Sequence, residues 1–277
     1  MPGPRRTRLP FRALFRIARL FELAGRALYY FAVGTLNRAD LESMSAIAWD
    51  DFGIDDRVAS SGLMQWERAI FHEFLKPADR VLLVGSGSGR DLLALRQAGH
   101  DVVGVEQATQ AVQRARRLLR DHGISADILA TRFDQAELPG KFDAIVFSWF
   151  CYCYILGTAE RTAALAKARA HLNASGRVII SYIAAETPPP TRATNIARAA
   201  ARLTGADWRP ELNDHFHPVA GRTPSYAFQH SFGAGELQRE AWNAGLLVLA
   251  ERRFPEAFLI VLTDDSGAVR TGVPPAT

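Results

Sequence analysis

Three glycines at alternate positions follow a run of aliphatic residues in the stretch Val81-Leu-Leu-Val-Gly-Ser-Gly-Ser-Gly-Arg-Asp91. Glycine lets a backbone turn sharply, and it lets another atom approach where a side chain would block it. The apolar run before Gly85, Gly87 and Gly89 predicts a buried strand whose carboxyl end carries this loop, and ligands of open α/β sheets bind at such ends. The spacing therefore predicts a ligand that lies directly against the backbone.

A carboxylate, Glu106, ends the next aliphatic run about 20 residues further on, the spacing at which an acid can accept hydrogen bonds from ribose hydroxyls. This predicts a nucleoside in the ligand. The dinucleotide pattern G-x-G-x-x-G would place its third glycine at position 90, but here the third glycine is Gly89 and position 90 is Arg90. The spacing disfavours a pyrophosphate-binding loop without excluding it.

From residue 80 onward, short aliphatic runs alternate with helical patterns, which is typical of a parallel sheet with crossover helices. A short turn with Pro255 separates the last two runs, so these should form antiparallel neighbours. We expect an α/β fold with a Rossmann-like, seven-stranded and mostly parallel sheet, an antiparallel final strand pair and helices on both faces. The predicted strands are 80–84, 101–105, 126–130, 142–147, 178–182, 246–250 and 257–263, and the predicted helices are 91–98, 110–120, 159–172, 197–203 and 236–243.

The glycine pattern G-x-G-x-G resembles motif one of the class I, Rossmann-like S-adenosylmethionine-dependent methyltransferases. The stretch Asp134-Gln-Ala-Glu-Leu-Pro139 looks like the acidic residue and Leu-Pro that follow strand three in that family, and Phe142-Asp143 looks like the start of strand four. The stretch Leu172-Asn-Ala-Ser-Gly-Arg177 is similar to the family's L-x-P-G-G-R turn. The resemblance covers residues 60–183 and 233–264.

The resemblance implies S-adenosylmethionine as the cofactor. By it, the three glycines would face the methionine part and ribose, Glu106 the ribose hydroxyls, and Asp134 the adenine amino group. Asp91 would meet the ammonium group, although an acid at a helix start also has a structural role. The departures, among them Glu106 in place of Asp and Ser86 in place of Cys or Ala, remove no necessary contact. The implied cofactor-binding residues are Gly85, Ser86, Gly87, Gly89, Asp91, Glu106, Phe133, Asp134 and Ser148.

The acceptor is less constrained than the cofactor. The stretch after strand four, Ser148-Trp-Phe-Cys-Tyr-Cys-Tyr154, lacks the Asn/Asp-Pro-Pro-aromatic motif of nucleic-acid and glutamine methyltransferases. The net charge of the chain beyond residue 38 is negative, which also disfavours nucleic acid. We expect a small-molecule or lipid-like acceptor methylated at oxygen or nitrogen, with Trp149, Tyr152 and Tyr154 as substrate-binding residues; core packing is the alternative role for these aromatics.

Two histidines are candidates for the general base that removes a proton from the acceptor, His230 and His217. The pair His215 and His217 lacks further ligands at metal-binding spacing, so we expect no metal. The closely spaced thiols Cys151 and Cys153 raise thiol-dependent methylation of a metalloid as an alternative, with core filling as the ordinary role. A nicotinamide-dependent oxidoreductase and a non-catalytic S-adenosylmethionine-binding protein remain alternative functions.

The basic character of the chain lies at its N-terminus, where residues 1–38 contain eight arginines and one acid, Glu22. At 100° per residue, four of the arginines fall on one helical face and Leu14, Ile17, Phe21 and Leu28 fall on the opposite face. We expect an amphipathic helix over residues 10–34 that packs its apolar face on the domain; contact with an anionic membrane surface is the alternative. It is too interrupted for a signal peptide, so we expect a cytoplasmic protein, with attachment to the inner membrane surface as the variant.

The predicted organisation is a basic helical cap at residues 1–40 and a methyltransferase domain at 41–277. Within that domain, residues 184–232 form an insertion that we expect to cover the substrate. The sequence does not determine the oligomeric state.

Overall fold

The computed structural model of the protein describes residues 9–52, 61–185, 191–219 and 225–264. A seven-stranded sheet runs through it in the order β3-β2-β1-β4-β5-β9-β8. The first five of these strands are parallel, and β9 is antiparallel to both β5 and β8. The predicted Rossmann-like sheet with an antiparallel final pair is confirmed. Its strands are β1 Arg80–Val84, β2 Asp101–Glu106, β3 Asp127–Ala130, β4 Phe142–Phe147, β5 Leu172–Tyr182, β8 Leu247–Arg253 and β9 Phe258–Thr263.

Both faces of the sheet are buried. Successive side chains of a strand point to opposite faces, and those of β1 enter two different hydrophobic clusters. Leu82 and Val84 of β1 lie in one hydrophobic cluster, whereas Val81 and Leu83 lie in another. Helices cover both faces, which explains why the strands read as continuous apolar runs in the sequence. The helices of this part are α3 Gln65–Phe74, α4 Arg90–Gln97, α5 Thr109–Asp121, α6 Thr158–Ala170 and α8 Glu236–Asn243.

Two strand boundaries differ from the predicted ones by more than one residue. Strand β5 begins at Leu172, six residues before the predicted start, because Phe142 pairs with Leu172 before a register shift in the ladder. Strand β8 extends to Arg253, since Arg253 still pairs with Phe258. In both cases the pairing continues through polar residues, which the apolar pattern did not include.

The insertion holds a helix and a hairpin. Helix α7 spans Thr191–Thr204, and strands β6 Asp214–Val219 and β7 Ser225–His230 form a separate antiparallel pair. Residues 186–190 and 220–224 of the predicted insertion lie outside the described residues. The hairpin was not predicted, because Pro218 and several polar residues hide the alternation of Phe216 and Phe228 with their neighbours.

Two further helices begin the described chain, α1 Leu9–Gly34 and α2 Arg38–Phe52. Helix α1 confirms the predicted helix, but its predicted packing is wrong over most of its length. Only its last turns are buried, where Gly34 approaches α7 so closely that an added Cβ would lie 2.3 Å from the Ala197 carbonyl oxygen. The predicted apolar face, Leu14, Ile17, Phe21 and Leu28, is exposed.

Among the described helices, we find no segment with both the length and the hydropathy of a membrane span.

Candidate active site

The carboxyl ends of three parallel strands meet at one edge of the sheet. Val84 of β1 is in register with Val105 of β2 and with Phe147 of β4, so the residues that follow these strands lie side by side. A cleft of about 530 Å³ opens at this edge. Most of the predicted cofactor-binding residues line it: Gly85, Ser86, Gly87, Asp91, Glu106, Phe133, Asp134 and Ser148.

The three glycines have different roles. All have positive φ, at 74° for Gly85, 52° for Gly87 and 93° for Gly89, which favours glycine. A Cβ on Gly85 would lie 2.7 Å from the Cys151 Cβ, whereas a Cβ on Gly87 would meet no atom within 4 Å. A Cβ on Gly89 would lie 2.9 Å from Ala115 of α5, so this glycine permits helix packing. Gly89 does not line the cleft, unlike the other two.

Glu106 holds the loop in place. Its carboxylate accepts the Gly87 backbone N–H at 2.9 Å through one oxygen and the Ala108 backbone N–H at 2.8 Å through the other. The side chain is buried yet borders the cleft. A carboxylate oxygen can accept more than one hydrogen bond, so Glu106 keeps acceptor capacity for ligand hydroxyls.

A buried chain of polar groups lies beside the loop. Asp91 accepts hydrogen bonds from the Ser148 hydroxyl and from the Arg90 Nε–H, the latter at 2.6 Å. Arg90 also donates to Glu67 of α3. Burial and the neighbouring Asp91 carboxylate raise the pKa of Glu67 to about 7, against the opposing effect of Arg90. The Arg90 guanidinium is therefore shared by the Glu67 and Asp91 carboxylates, and Glu106 adds a negative charge at the same edge of the cleft.

The carboxylate of Asp134, to which the resemblance gives the adenine amino group as partner, is paired with Arg132 in the structure. Its two carboxylate oxygens accept Arg132 Nε–H and Nη–H bonds at 3.0 Å each. Burial alone would raise the pKa of Asp134, but the hydrogen bonds and charge of Arg132 lower it. Arg132 also pairs with Glu42 of α2, so this cluster ties α2 to the cleft wall. Phe133, which lies between Arg132 and Asp134 in the sequence, packs edge-on against Phe147.

The aromatic stretch after β4 is divided between cleft and core. Trp149 and Phe150 have positive φ, at 34° and 63°, a conformation that is costly for side-chain-bearing residues and common at functional sites. Trp149 and Tyr154 line the cleft. Tyr152 was predicted to bind substrate, but it is fully buried, and its hydroxyl donates to Glu240 at 2.8 Å.

His230 lies in the core and not at the cleft. It is fully buried, and its two ring nitrogens lie 2.7 Å from Asp214 and 3.0 Å from Glu236. Burial alone would lower the pKa of His230, but the hydrogen bonds to these carboxylates raise it to about 9. A buried imidazolium between two carboxylates cannot accept the acceptor's proton near neutral pH, so the geometry contradicts the general-base role predicted for His230.

His217 does not line the cleft either. It lines a second cavity, of about 410 Å³, with Tyr29 of α1, so the structure does not place it at the cofactor edge as the predicted base role requires. The described lining of the large cleft contains no histidine.

Neither cysteine has the lowered thiol pKa that is typical of a reactive thiolate, although Cys151 lines the cleft. Burial raises the pKa of Cys151 well above its ordinary value and that of Cys153 to about 12. The Cys151 Sγ–H donates to the Val84 carbonyl at 3.1 Å, which is a packing role.

Three residues of the hairpin region, Glu211, His230 and Glu236, lie close enough together to reach one metal ion. The Arg161 guanidinium already contacts both carboxylates, at 2.9 Å and 3.7 Å, and also Glu240 at 2.7 Å. This positive charge replaces what an ion would supply, so the cluster is an ion-pair network.

Several cleft residues were missed by the sequence reasoning. Helix α2 was not predicted, yet it covers the cleft, and its Trp49 ring lies 4.6 Å from the Tyr154 ring. The sequence carries little signal for this helix, because its apolar and polar residues are not separated onto opposite faces. The cleft-lining residues of α2 are Leu41, Glu42, Ser45 and Trp49.

Residues 81–176 match the family described as "Methyltransferase domain". No curated protein sequence matches the chain.

The fold is shared with solved methyltransferase structures. An S-adenosylmethionine-dependent methyltransferase from Methanosarcina mazei superposes with a TM-score of 0.58 at 16% identity, over 73% of this chain and 98% of that one. The CcbJ methyltransferase from Streptomyces caelestis gives 0.54 at 17% identity, over 71% and 87%. The glycopeptide N-methyltransferase MtfA, complexed with S-adenosylmethionine, gives 0.54 at 17%, over 72% and 92%. Residues 81–176 therefore match a methyltransferase domain, and the chain shares the fold of these S-adenosylmethionine-dependent methyltransferases.

Proposed function

We propose that the protein transfers the methyl group of S-adenosylmethionine to an oxygen or nitrogen of a small-molecule or lipid-like acceptor. The observation that carries the proposal is the composition of the cleft. One part of its wall is a bare glycine loop beside Glu106, and another is formed by the aromatic side chains Trp49, Trp149 and Tyr154.

The charge at the loop favours a sulfonium cofactor over a dinucleotide. Asp91 and Glu106 both border the cleft, and Arg90 is paired with Glu67 and Asp91. A negative site attracts the positive sulfonium and ammonium groups and repels a diphosphate. This argues against the nicotinamide-dependent alternative.

The residues that line the cleft are suited to hold S-adenosylmethionine and the acceptor in position for methyl transfer. When bound, S-adenosylmethionine supplies an electrophilic methyl group whose leaving group is a neutral thioether. Glu106 would hold the ribose hydroxyls, and the Gly85–Gly87 backbone would allow close approach of the methionine part. The aromatic wall would align the acceptor, and alignment of two reactants lowers the barrier of such a bimolecular step substantially. Burial raises the pKa of Tyr154, so its hydroxyl stays protonated and can donate a hydrogen bond to the acceptor.

The apolar wall supports a small or lipid-like acceptor. Ile155, Leu156 and Phe228 also border the cleft, and such walls are typical of sites for apolar ligands. The glycopeptide acceptor named for MtfA belongs to that protein alone.

The direct test is transfer of a labelled methyl group from S-adenosylmethionine. The purified full chain is incubated with small-molecule and lipid fractions separately, and label is counted in organic and aqueous extracts. The proposal predicts label in a low-mass product and none in added RNA or DNA. Label in nucleic acid would contradict the acceptor class, and cofactor binding without turnover on any fraction would favour the non-catalytic alternative.

A further inference from the structure

Helix α1 exposes an apolar face that the described fold leaves uncovered. Every residue from 9 to 24 is exposed, which is about 24 Å of helix at 1.5 Å per residue. Phe21 is 75% exposed, and Leu14 and Leu28 are similarly open. Single exposed apolar residues are ordinary, but a contiguous exposed face marks an interaction site.

The apolar face points away from the domain. Tyr30 and Val33 of α1 pack into the cluster with α7 and the hairpin, and Tyr29 packs edge-on against Tyr226 of the hairpin. At 100° per residue, Tyr30 falls on the same face as Arg12, and Phe21 falls on the opposite face. The domain therefore holds α1 by its arginine-bearing side and presents the apolar side outward.

The breadth of the apolar face distinguishes a lipid surface from a second copy of the chain. Leu14, Phe21 and Leu28 have heptad spacing, but the repeat covers fewer than the three to four heptads that a coiled coil needs. The apolar arc also widens to about 180°, from Leu20 on one side to Phe11 on the other. A two-helix seam is narrower, whereas a helix that lies in a membrane interface buries such a broad face.

The charge of the segment selects the kind of surface. The exposed arginines of α1 are Arg12, Arg16, Arg19 and Arg26, and Glu22 is its one acid. The arginines lie on the side of α1 opposite the apolar face, at a distance of about one helix diameter, or 10 Å. This distance is comparable to the Debye length of about 8 Å at physiological ionic strength. Anionic headgroups would therefore attract α1 at the distance at which its apolar face meets the bilayer.

We propose that α1 docks the protein on an anionic phospholipid surface, with Leu14, Ile17, Phe21 and Leu28 inserted at the headgroup boundary. The proposal goes beyond methyl transfer and does not depend on the acceptor.

The test uses co-sedimentation of the full chain with vesicles of phosphatidylcholine alone or mixed with phosphatidylglycerol. Phe21→Glu places an acid on the apolar face, and the matched control Leu23→Glu places the same acid on the arginine-bearing face, where Leu23 is 57% exposed. We expect binding to the anionic vesicles that weakens with salt, and a loss of about tenfold or more for Phe21→Glu with a clearly smaller loss for Leu23→Glu.

Two results would overturn the proposal, namely absence of binding to anionic vesicles and equal losses in the two variants. Absence of vesicle binding together with a dimer in light scattering that Phe21→Glu dissociates would assign the apolar face to a second copy of the chain. Circular dichroism and S-adenosylhomocysteine affinity should be unchanged in both variants, because both positions are exposed and outside the cleft lining. Failure of membrane docking is therefore distinguishable from failure of the methyltransferase proposal.

Discussion

Replacing Glu106 by Gln should weaken cofactor binding more than it weakens the fold. Gln keeps one acceptor oxygen but presents an amide N–H₂ where a second backbone N–H, from Gly87 or Ala108, now donates. One charge-assisted hydrogen bond to the loop is lost, and the ribose loses an ionised acceptor. A hydrogen bond to a charged group contributes about 1.5–3 kcal/mol, which corresponds to roughly a ten- to hundredfold rise in Kd.

Calorimetric titration with S-adenosylhomocysteine measures this loss. Glu137→Gln is the matched control, since Glu137 is an exposed acid outside the cleft lining, and its Kd should equal that of the wild type. Thermal unfolding of both variants separates a binding defect from a folding defect. An unchanged Kd in a well-folded Glu106→Gln variant would refute the assignment of Glu106 to the ribose.

Three further perturbations have distinct expected outcomes. Gly85→Ala should destabilise the fold and block the cleft, because the added Cβ clashes with Cys151. Gly87→Ala places its Cβ in open space, so it should cost only about 1 kcal/mol of stability, from the positive φ at that position. Urea unfolding of the two variants checks this, and equal losses of stability would contradict it. Arg161→Met should lower the free energy of unfolding by about 3–5 kcal/mol, because it leaves the buried Glu240 without its counter-charge; a loss below 1 kcal/mol in urea would count against the network. The pKa of His230 is higher in the folded protein than in the unfolded chain, so protonated His230 should add about 3 kcal/mol to the free energy of unfolding. This contribution should be complete below pH 6.5 and disappear as the pH rises to about 9. In urea unfolding, His230→Asn should lack this pH dependence, and an identical dependence in the variant would refute the prediction.

The sheet and the cofactor edge could be predicted because their signals are local. A strand buried on both faces reads as an apolar run, as in Val81–Val84, and the loop after it needs glycines for its positive φ values. Glu106 follows β2 directly, and parallel register then brings it beside the loop. These features depend on residues close together in sequence and on one rule of sheet topology.

The surroundings of His230 and the position of α2 depend on information that local patterns do not contain. His230 and Asp214 pair only because β6 and β7 form a hairpin, and Arg161 reaches the same cluster from α6. Nothing near His230 in the sequence distinguishes a buried imidazolium from a catalytic base. Helix α2 covers the cleft through Glu42 and Trp49, whose partners Arg132 and Tyr154 lie about 90 to 105 residues away along the chain.

The direction of the apolar face of α1 also depended on tertiary structure. The amphipathic pattern of Leu14, Ile17, Phe21 and Leu28 predicted a helix but not which side the domain would bind. The close approach of Gly34 to Ala197 fixes that side. The helix is therefore held at its C-terminal end, and the predicted packing of the apolar face does not occur among the described residues.

The central claim is that the glycine loop and Glu106 form an adenosyl-sulfonium site in place of a diphosphate site. Side-by-side calorimetry with S-adenosylhomocysteine and NADH tests it most directly. The account predicts saturable binding of S-adenosylhomocysteine that Glu106→Gln weakens, and no heat of binding from NADH at the same concentrations. Saturable binding of NADH with none of S-adenosylhomocysteine would contradict it.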